Sequence, residues 1–482
     1  MGVLSGLEPA SVFGFFEEIT AIPHGSGDTK RISDYCAAFA ESRGLEYYQD
    51  GSNNIIIWKD GSGGYEDKPY VMLQGHLDMV CEKEEGVDID FSKDALKLTL
   101  KDGTISAEGT TLGGDDGIAI AYALAILDSD SIVHPPIEAV FTVDEEIGML
   151  GASALDMSRL RSKSLINLDS EDEGYLLVSC AGGVTATCSL PVKRESCDGV
   201  MLSIKADGML GGHSGQEIDK GRACSNTVIG RALSYIYRET PFRLVTVFGG
   251  NKDNAIPRTS EALIVLENAE SAEKAQKVVS GLDRILKDEY HITDPGIRLC
   301  AKKTESAGKI PMDRDSTERA IRMLRLLPQG VQRMSSLIEG LVQTSLNLGI
   351  LKDQGDELTA SFSVRSSVNT EKDELCDRLF NIIEALGGSL NLQGAYPAWE
   401  YREESRLQRI MTDTYKELYG KEMVVQAIHA GVECGLFSDG VKELDAVSIG
   451  PDMKDIHTPK ETLDCSSVKR TWEYLLKVLE KL

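Results

Sequence analysis

Five short segments of this chain place acids and imidazoles beside glycines or at the ends of apolar runs. In order they are Gln74-Gly75-His76-Leu77-Asp78, Leu112-Gly113-Gly114-Asp115-Asp116-Gly117, Val143-Asp144-Glu145-Glu146-Ile147-Gly148, Asn167-Leu168-Asp169-Ser170-Glu171 and, far downstream, Asp455-Ile456-His457-Thr458-Pro459. Two imidazoles and several carboxylates of this kind suit a pair of divalent ions, zinc foremost with cobalt or manganese also suited, sharing one carboxylate. A second glutamate beside a ligand glutamate is what activation of a water requires. The pattern therefore points to a two-metal hydrolase.

Each segment alone has an ordinary explanation as a loop. His76 and Asp78 face one side if the extended backbone continues past Gly75, and then one can bind metal while the other holds the ring. The glycines of residues 110–117 let backbone approach something small. A phosphate cradle would need G-K-[ST] and would not tolerate two aspartates. A carboxylate bridging two cations fits better, with Asp115 the stronger candidate and Asp116 capping the following helix or satisfying loop amides. Three adjacent acids at 144–146 raise one another's pKa unless cations relieve them. Neighbours on an extended segment point opposite ways, so one of Glu145 and Glu146 can ligate while the other reaches a water. Asp169 and His457 repeat the strand-end placement. Five such placements in one pattern are jointly hard to explain as solvated loops.

Three further groups lie between these segments. His213 sits in the glycine-rich turn M-L-G-G-H-S-G, Asn254 precedes A-I-P, and Arg365 ends an apolar strand. A neutral donor, an amide and a fixed cation suit an oxyanion and a substrate carboxylate. By spacing alone each could equally be a turn residue or a surface arginine.

The elements that must position these groups follow from hydrophobic period. Residues 8–20 and 28–43 read as helices, and 54–58, 70–73, 137–143 and 164–168 as buried strands. Residues 118–127 read as a buried helix capped by an aspartate, and 153–160 as another helix. Helices alternating with apolar strands imply an α/β layer with a largely parallel sheet. From about 184 the texture becomes α+β: strands at 186–190, 200–205, 243–248 and 262–267, a hairpin at 342–349 and 357–365, and helices at 219–238, 272–289, 317–326 and 372–386. The strand–helix order there roughly recurs twice, which suggests a duplication. Helices at 405–418 and 466–479 and strands at 423–427 and 446–449 restore the α/β style. The architecture expected is one domain made of 1–183 and 396–482, interrupted by an inserted domain of 184–395. His457 returns on the second piece, so a metal site could unite the two.

At 482 residues, two domains are the natural expectation. A net charge of -26 argues against nucleic acid and anionic membranes, which need a basic face. Ten scattered cysteines without C-x-x-C spacing fit reduced thiols in a cytoplasm. The acidic N-terminus reads as an amphipathic helix and not as a signal peptide, and no apolar run is long enough to span a membrane as a helix.

Taken together, G-H-x-D, L-G-G-D-D-G, D-E-E-x-G, the strand-end aspartate, G-G-H-S-G, N-A-I-P and I-H-T-P resemble the co-catalytic zinc peptidases, the family of carboxypeptidase G2, tripeptidases and carnosinase. N-L-D-S-E-D-E-G-Y, C-A-G-G near 180, H-S-G-x-E-I and H-A-G-V-E-C-G at 429–435 are similar to its bacterial dipeptidases. The resemblance runs over nearly the whole chain. It implies the zinc-peptidase fold with an inserted lid and dimerisation domain, and hydrolysis of dipeptides, of Xaa-His type or more broadly. His76 and Asp169 would hold one ion and Glu146 and His457 the other, with Asp115 between them. Asp78 would orient His76, and Glu145 would be the general base. His213, in such enzymes often reaching the partner subunit's site, and Asn254 would meet the substrate. Arg365 would hold its terminal carboxylate. Family members are commonly homodimers through the lid. In similar sequences the second acid, here Asp116, is often asparagine, which supports Asp115 as the bridge. Two other readings stay open: a deacylase or desuccinylase of N-acyl amino acids with the same architecture, and a metal-binding relative without catalysis.

Overall fold

The computed structural model describes residues 2–305 and 308–482. Met1, which opens the N-terminal segment, and Ser306–Ala307, inside the expected insertion, lie outside the described residues. The chain divides into two compact units: residues to Cys180 with Tyr401–Ala427 and Val432–Leu482, and Ala181–Glu400 with Ile428–Gly431. The sequence alone suggests 396–482 as one piece. Residues 428–431 depart from it because the Ala181 amide donates to the carbonyls of Ile428 and Ala430, and His429 Nε2 lies 2.7 Å from Ser345 Oγ. No periodicity marks so short an excursion.

The first unit is built on an eight-stranded sheet. Its centre runs Ile137–Thr142, Val71–His76, Ser164–Asn167 and Asp445–Ser448, neighbours that are parallel throughout. Every residue of Val71–His76 and Ile137–Thr142 is buried. That is why these strands read as continuous apolar runs without alternation. The flanks are antiparallel: Ile55–Lys59 pairs Ile137–Thr142, Glu46–Gln49 pairs Ile55–Lys59, and Tyr175–Cys180 pairs Asp445–Ser448. A short turn such as 50–54 can close only an antiparallel pair, so the sheet is mixed at its edge and parallel where it matters. The helix Gly114–Asp128 is apolar all round and buried through Leu127. It packs on the helix Ala10–Thr20 and on the strand Val71–His76.

The helix expected at 153–160 is instead a short helix, Leu150–Ala154, and a 3-10 turn, Met157–Arg159. Leu155 is extended, and the Asp156 side chain accepts from the Ser158 amide, which restarts the chain. The helix expected from 219 begins at Ser225, because Gly221 takes a left-handed φ of 66° after a 3-10 turn.

The second unit carries a nine-stranded sheet whose main path has a mirrored order. From one edge come Arg298–Lys303, Val200–Asp207, Ser260–Leu266 and Phe242–Gly249. Then come Val342–Asp353, Glu357–Ser366, Gly182–Pro191 and Ser389–Tyr396. Each half is a strand–helix–strand–strand–helix–strand motif. The first uses helices Ser225–Glu239 and Ala269–Glu289, the second Arg314–Leu326 and Asn369–Ala385. The first half is threaded inside the second, after Gly182–Pro191. This nesting is why the recurrence is only rough when read along the chain.

Candidate metal centre

The ligand candidates of the first unit gather at the carboxyl ends of the central strands, where open α/β sheets place their sites. His76 ends Val71–His76. Glu145 and Glu146 follow Ile137–Thr142 through Asp144, whose φ is 56°, and Asp169 follows Ser164–Asn167. Asp115 opens the buried helix. His457, with φ 60°, lies in the loop between Met453–Lys454 and Thr462–Asp464.

Asp115 stands between the two imidazoles. Its Oδ1 is 3.1 Å from His76 Nε2 and its Oδ2 is 3.0 Å from His457 Nε2. His76 Nε2 is also 3.7 Å from Asp169 Oδ1, and His457 Nε2 is 2.9 Å from Glu146 Oε1. All five sequence-derived ligand candidates are thus brought together. Donor atoms of His76, Asp115 and Glu146 lie within 4.8 Å of one another, as do those of His76, Asp116 and Asp169.

The electrostatics ask for cations. Burial works against a charged His76 ring, yet Asp169, Asp115 and Asp78 push it well above the ordinary range. Hydrogen bonds to Asp115 and Glu146 lift His457 to about 10. Burial drives Asp169 well up, and Asp116 and Asp115 add to the shift. Burial lifts Glu145 to about 8 against His76, with Glu433, Glu146 and Asp115 adding, and lifts Glu171 to about 7. So many carboxylates in one buried place repel each other unless positive charge compensates them. Carboxylate oxygens with imidazole nitrogens are a donor set for divalent metal. The residues present fit such ions.

Asp78 meets the ligand candidates in two ways. His76 Nδ1 hydrogen-bonds the Asp78 carbonyl at 2.9 Å, with the Asp78 carboxylate 3.5 Å away. That carboxylate accepts from Ser26 Oγ at 2.8 Å and from the amides of Glu145 and Glu146 at 3.1 and 3.4 Å. It ties the His76 strand to the turn carrying the acid pair.

Asp116 does not cap the helix as expected. The N-cap is Gly113, without a side-chain hydrogen bond, and Asp115 and Asp116 are non-helical. Asp116 Oδ2 accepts instead from the His76 amide at 3.1 Å. A Cβ on Gly75 would lie 2.4 Å from that oxygen, so glycine is required there. The loop amides are satisfied by a residue that sequence reasoning missed. Glu461 Oε2 accepts from Leu112 and Gly113 at 2.7 and 3.1 Å, and Oε1 from Gly114 and Asp115 at 2.8 and 3.3 Å. Its carboxylate is buried and its pKa raised chiefly by that burial. The signal was present as the acid that follows I-H-T-P-K.

In the second unit, Gly212–His213 pairs with Ala255–Ile256, which places His213 beside Asn254. The Asn254 carbonyl accepts from the Ser214 amide at 2.8 Å. His213 Nδ1 accepts from the amides of Gly215 and Gln216 at 3.2 and 3.3 Å. Burial and the charge of Arg365 lower the His213 pKa, so the ring is neutral with Nε2 protonated. Arg365 donates to the Tyr396 hydroxyl at 3.1 Å.

A mixed sheet, parallel at its centre, with groups that could hold a metal ion at its strand ends and a second unit interrupting it in sequence, defines an α/β protein with a candidate metal site. Residues 72–481 match the model of Peptidase family M20/M25/M40, and the chain belongs to that family. It is 35% identical to the cytosol non-specific dipeptidase of Escherichia coli K12, over 100% of this chain and 99% of the relative. The crystal structure of aminoacylhistidine dipeptidase from Vibrio alginolyticus matches with a TM-score of 0.95 and 34% identity, covering 100% of this chain and 98% of that one. The aminopeptidase PepT of Bacillus cereus matches with a TM-score of 0.60 over 98% of this chain and 99% of that one; at 15% identity this likeness is one of fold.

Proposed function

We propose that this chain hydrolyses the peptide bond of dipeptides, with two divalent ions, zinc foremost, in the first unit. The observation that carries the reading is the Asp115 carboxylate, with one oxygen on each imidazole. The names of the relatives, cytosol non-specific dipeptidase and aminoacylhistidine dipeptidase, support the substrate class. His76 and Asp169 would hold one ion, Glu146 and His457 the other, and Asp115 both. Bound ions of this kind supply Lewis-acid polarisation of the scissile carbonyl and make a water acidic enough to attack.

The remaining steps belong to side chains. Glu145 takes the proton of the attacking water and passes it to the leaving amine. Asp78 holds the Glu145 amide and the His76 strand in one geometry. In the second unit, which we read as a lid and as the interface of a homodimer, His213 Nε2–H and the Asn254 amide donate to the oxyanion. The Arg365 guanidinium pairs with the terminal carboxylate of the substrate. Among the described residues no helix is long and apolar enough to cross a membrane, and the name of the relative, cytosol non-specific dipeptidase, supports a cytoplasmic setting. Elemental analysis with a substrate panel on metal-reconstituted protein tests the reading. Cleavage of dipeptides in preference to N-acetyl and N-succinyl amino acids is expected. The reverse preference would make the protein a deacylase, and no cleavage would make it a metal-binding relative.

A further inference from the structure

One buried carboxylate of the first unit has no part in the steps above. Glu433 is 0% exposed and stands at the start of the helix Cys434–Gly440. Its Oε2 accepts from Gln74 Nε2 and from Thr142 Oγ1, each at 2.6 Å. From there a row of polar side chains crosses the parallel strands. Asn167 Nδ2 donates to Gln74 Oε1 at 2.6 Å, and Ser448 Oγ donates to Asn167 Oδ1. Gln74, Asn167 and Ser448 stand in register on three neighbouring strands, none more than 1% exposed.

The row has a place and a direction. Gln74 and Asn167 each precede a ligand candidate, His76 and Asp169, by two residues. Side chains two apart on a strand share a face, so Gln74 lies directly beneath His76. The Asp169 amide donates to Asn167 Oδ1 at 3.4 Å, which joins the row to the second ligand. Apolar side chains would fill these positions at lower cost, since buried polar groups demand partners. The direction comes from Glu433. Its Oε2 takes two donors and, as a carboxylate oxygen, only accepts, so the Gln74 amide turns its nitrogen towards it. Gln74 Oε1 is then left to accept from Asn167 Nδ2, and Asn167 Oδ1 is left facing Ser448 and the Asp169 amide. Without Glu433, Gln74 Nε2 keeps only the longer bond to Thr142 Oγ1 at 3.3 Å, a hydroxyl that can donate as well as accept; both amides can then turn over, and Asn167 would present N–H to the Asp169 N–H.

We propose that Glu433 is a positioning residue that fixes, through Gln74 and Asn167, the strand ends carrying His76 and Asp169, and thereby the hold on the ion at that position. The inference rests on the two-metal reading of the site. Full-length protein loaded with zinc tests it by release of each ion to a chelator, by the visible spectrum after cobalt replacement, and by kcat and KM on a dipeptide. Glu433→Ala should release one ion about 10–100-fold faster than wild type, as loss of an outer-shell partner does. It should also alter the cobalt spectrum and lower kcat while KM stays within about twofold. Glu433→Gln, which keeps size and an acceptor, should recover part of each loss. Gln74→Leu breaks the row one step further on and should loosen the same ion. Wild-type release, spectrum and kcat in folded Glu433→Ala overturn the inference. If the alanine variant does not fold, wild-type values in Gln74→Leu overturn it equally. A wild-type chain that takes up no metal and cleaves no dipeptide overturns the two-metal reading, and this inference with it, before any variant is compared.

Discussion

The two units prepare their functional groups in opposite ways. In the first, like charges are crowded: Asp115, Glu146 and Asp169 stand within reach of two imidazoles, and burial lifts Glu145 to about 8. The cluster is held open by groups around it, above all Asp78 and Glu461, which bond the backbone of the ligand-bearing turns. In the second, His213 sits on a two-residue ladder that Asn254 precedes, with the pKa of the ring lowered by burial and by Arg365. The first arrangement stores a demand for positive charge, and the second, on the function proposed above, is a set of neutral donors. Metal affinity should therefore respond to changes in the first unit alone, whereas turnover should respond to both.

The sharpest way to break this contrast is Glu145→Gln. General-base removal should lower kcat by as much as about 10⁴-fold while elemental analysis finds the metal content unchanged. Loss of metal in this variant would make Glu145 a ligand and not a base. Next comes His213→Ala, for which loss of one oxyanion donor should cost about 10²–10³ in kcat with metal content and Tm as in wild type. A drop in metal content would erase the distinction between the units. Glu461→Ala should weaken metal binding by about 10–100-fold. It should also lower stability by about 1–3 kcal/mol, because buried amides of the Leu112–Asp115 loop lose their acceptor. Calorimetry and metal titration read the two effects separately. The smallest effect is expected of Asp116→Asn, which keeps an acceptor on the His76 amide and should change stability by less than about 1 kcal/mol with near-wild-type turnover.

Most of the ligand candidates stand out in the sequence because they follow a strong apolar run: His76 after V-M-L, Glu145 and Glu146 after A-V-F, Asp169 after S-L-I-N. Residues that work from beneath or behind leave no such mark. Glu433 lies between Val432 and Cys434 in the H-A-G-V-E-C-G motif, which gives it no task, and Glu461 follows I-H-T-P-K without an apolar run before it. What defines each is a partner hundreds of positions away, such as Gln74 for Glu433 and Leu112 for Glu461. The helix cap expected of Asp116 fails for a related reason. A helix start beside an aspartate looks capped, but the helix opens on a glycine and Asp116 serves the neighbouring strand. The central sheet followed from its buried runs, whereas the mirrored halves of the second unit were blurred because one is threaded within the other.

The most direct test of the account is the metal stoichiometry of wild type against His457→Ala, measured by elemental analysis after equilibration with zinc and removal of excess ion. The account predicts two ions per chain in wild type and one in the variant, with His76, Asp169 and Asp115 keeping theirs. A wild type that binds fewer than two, or a variant that still binds both, would contradict it.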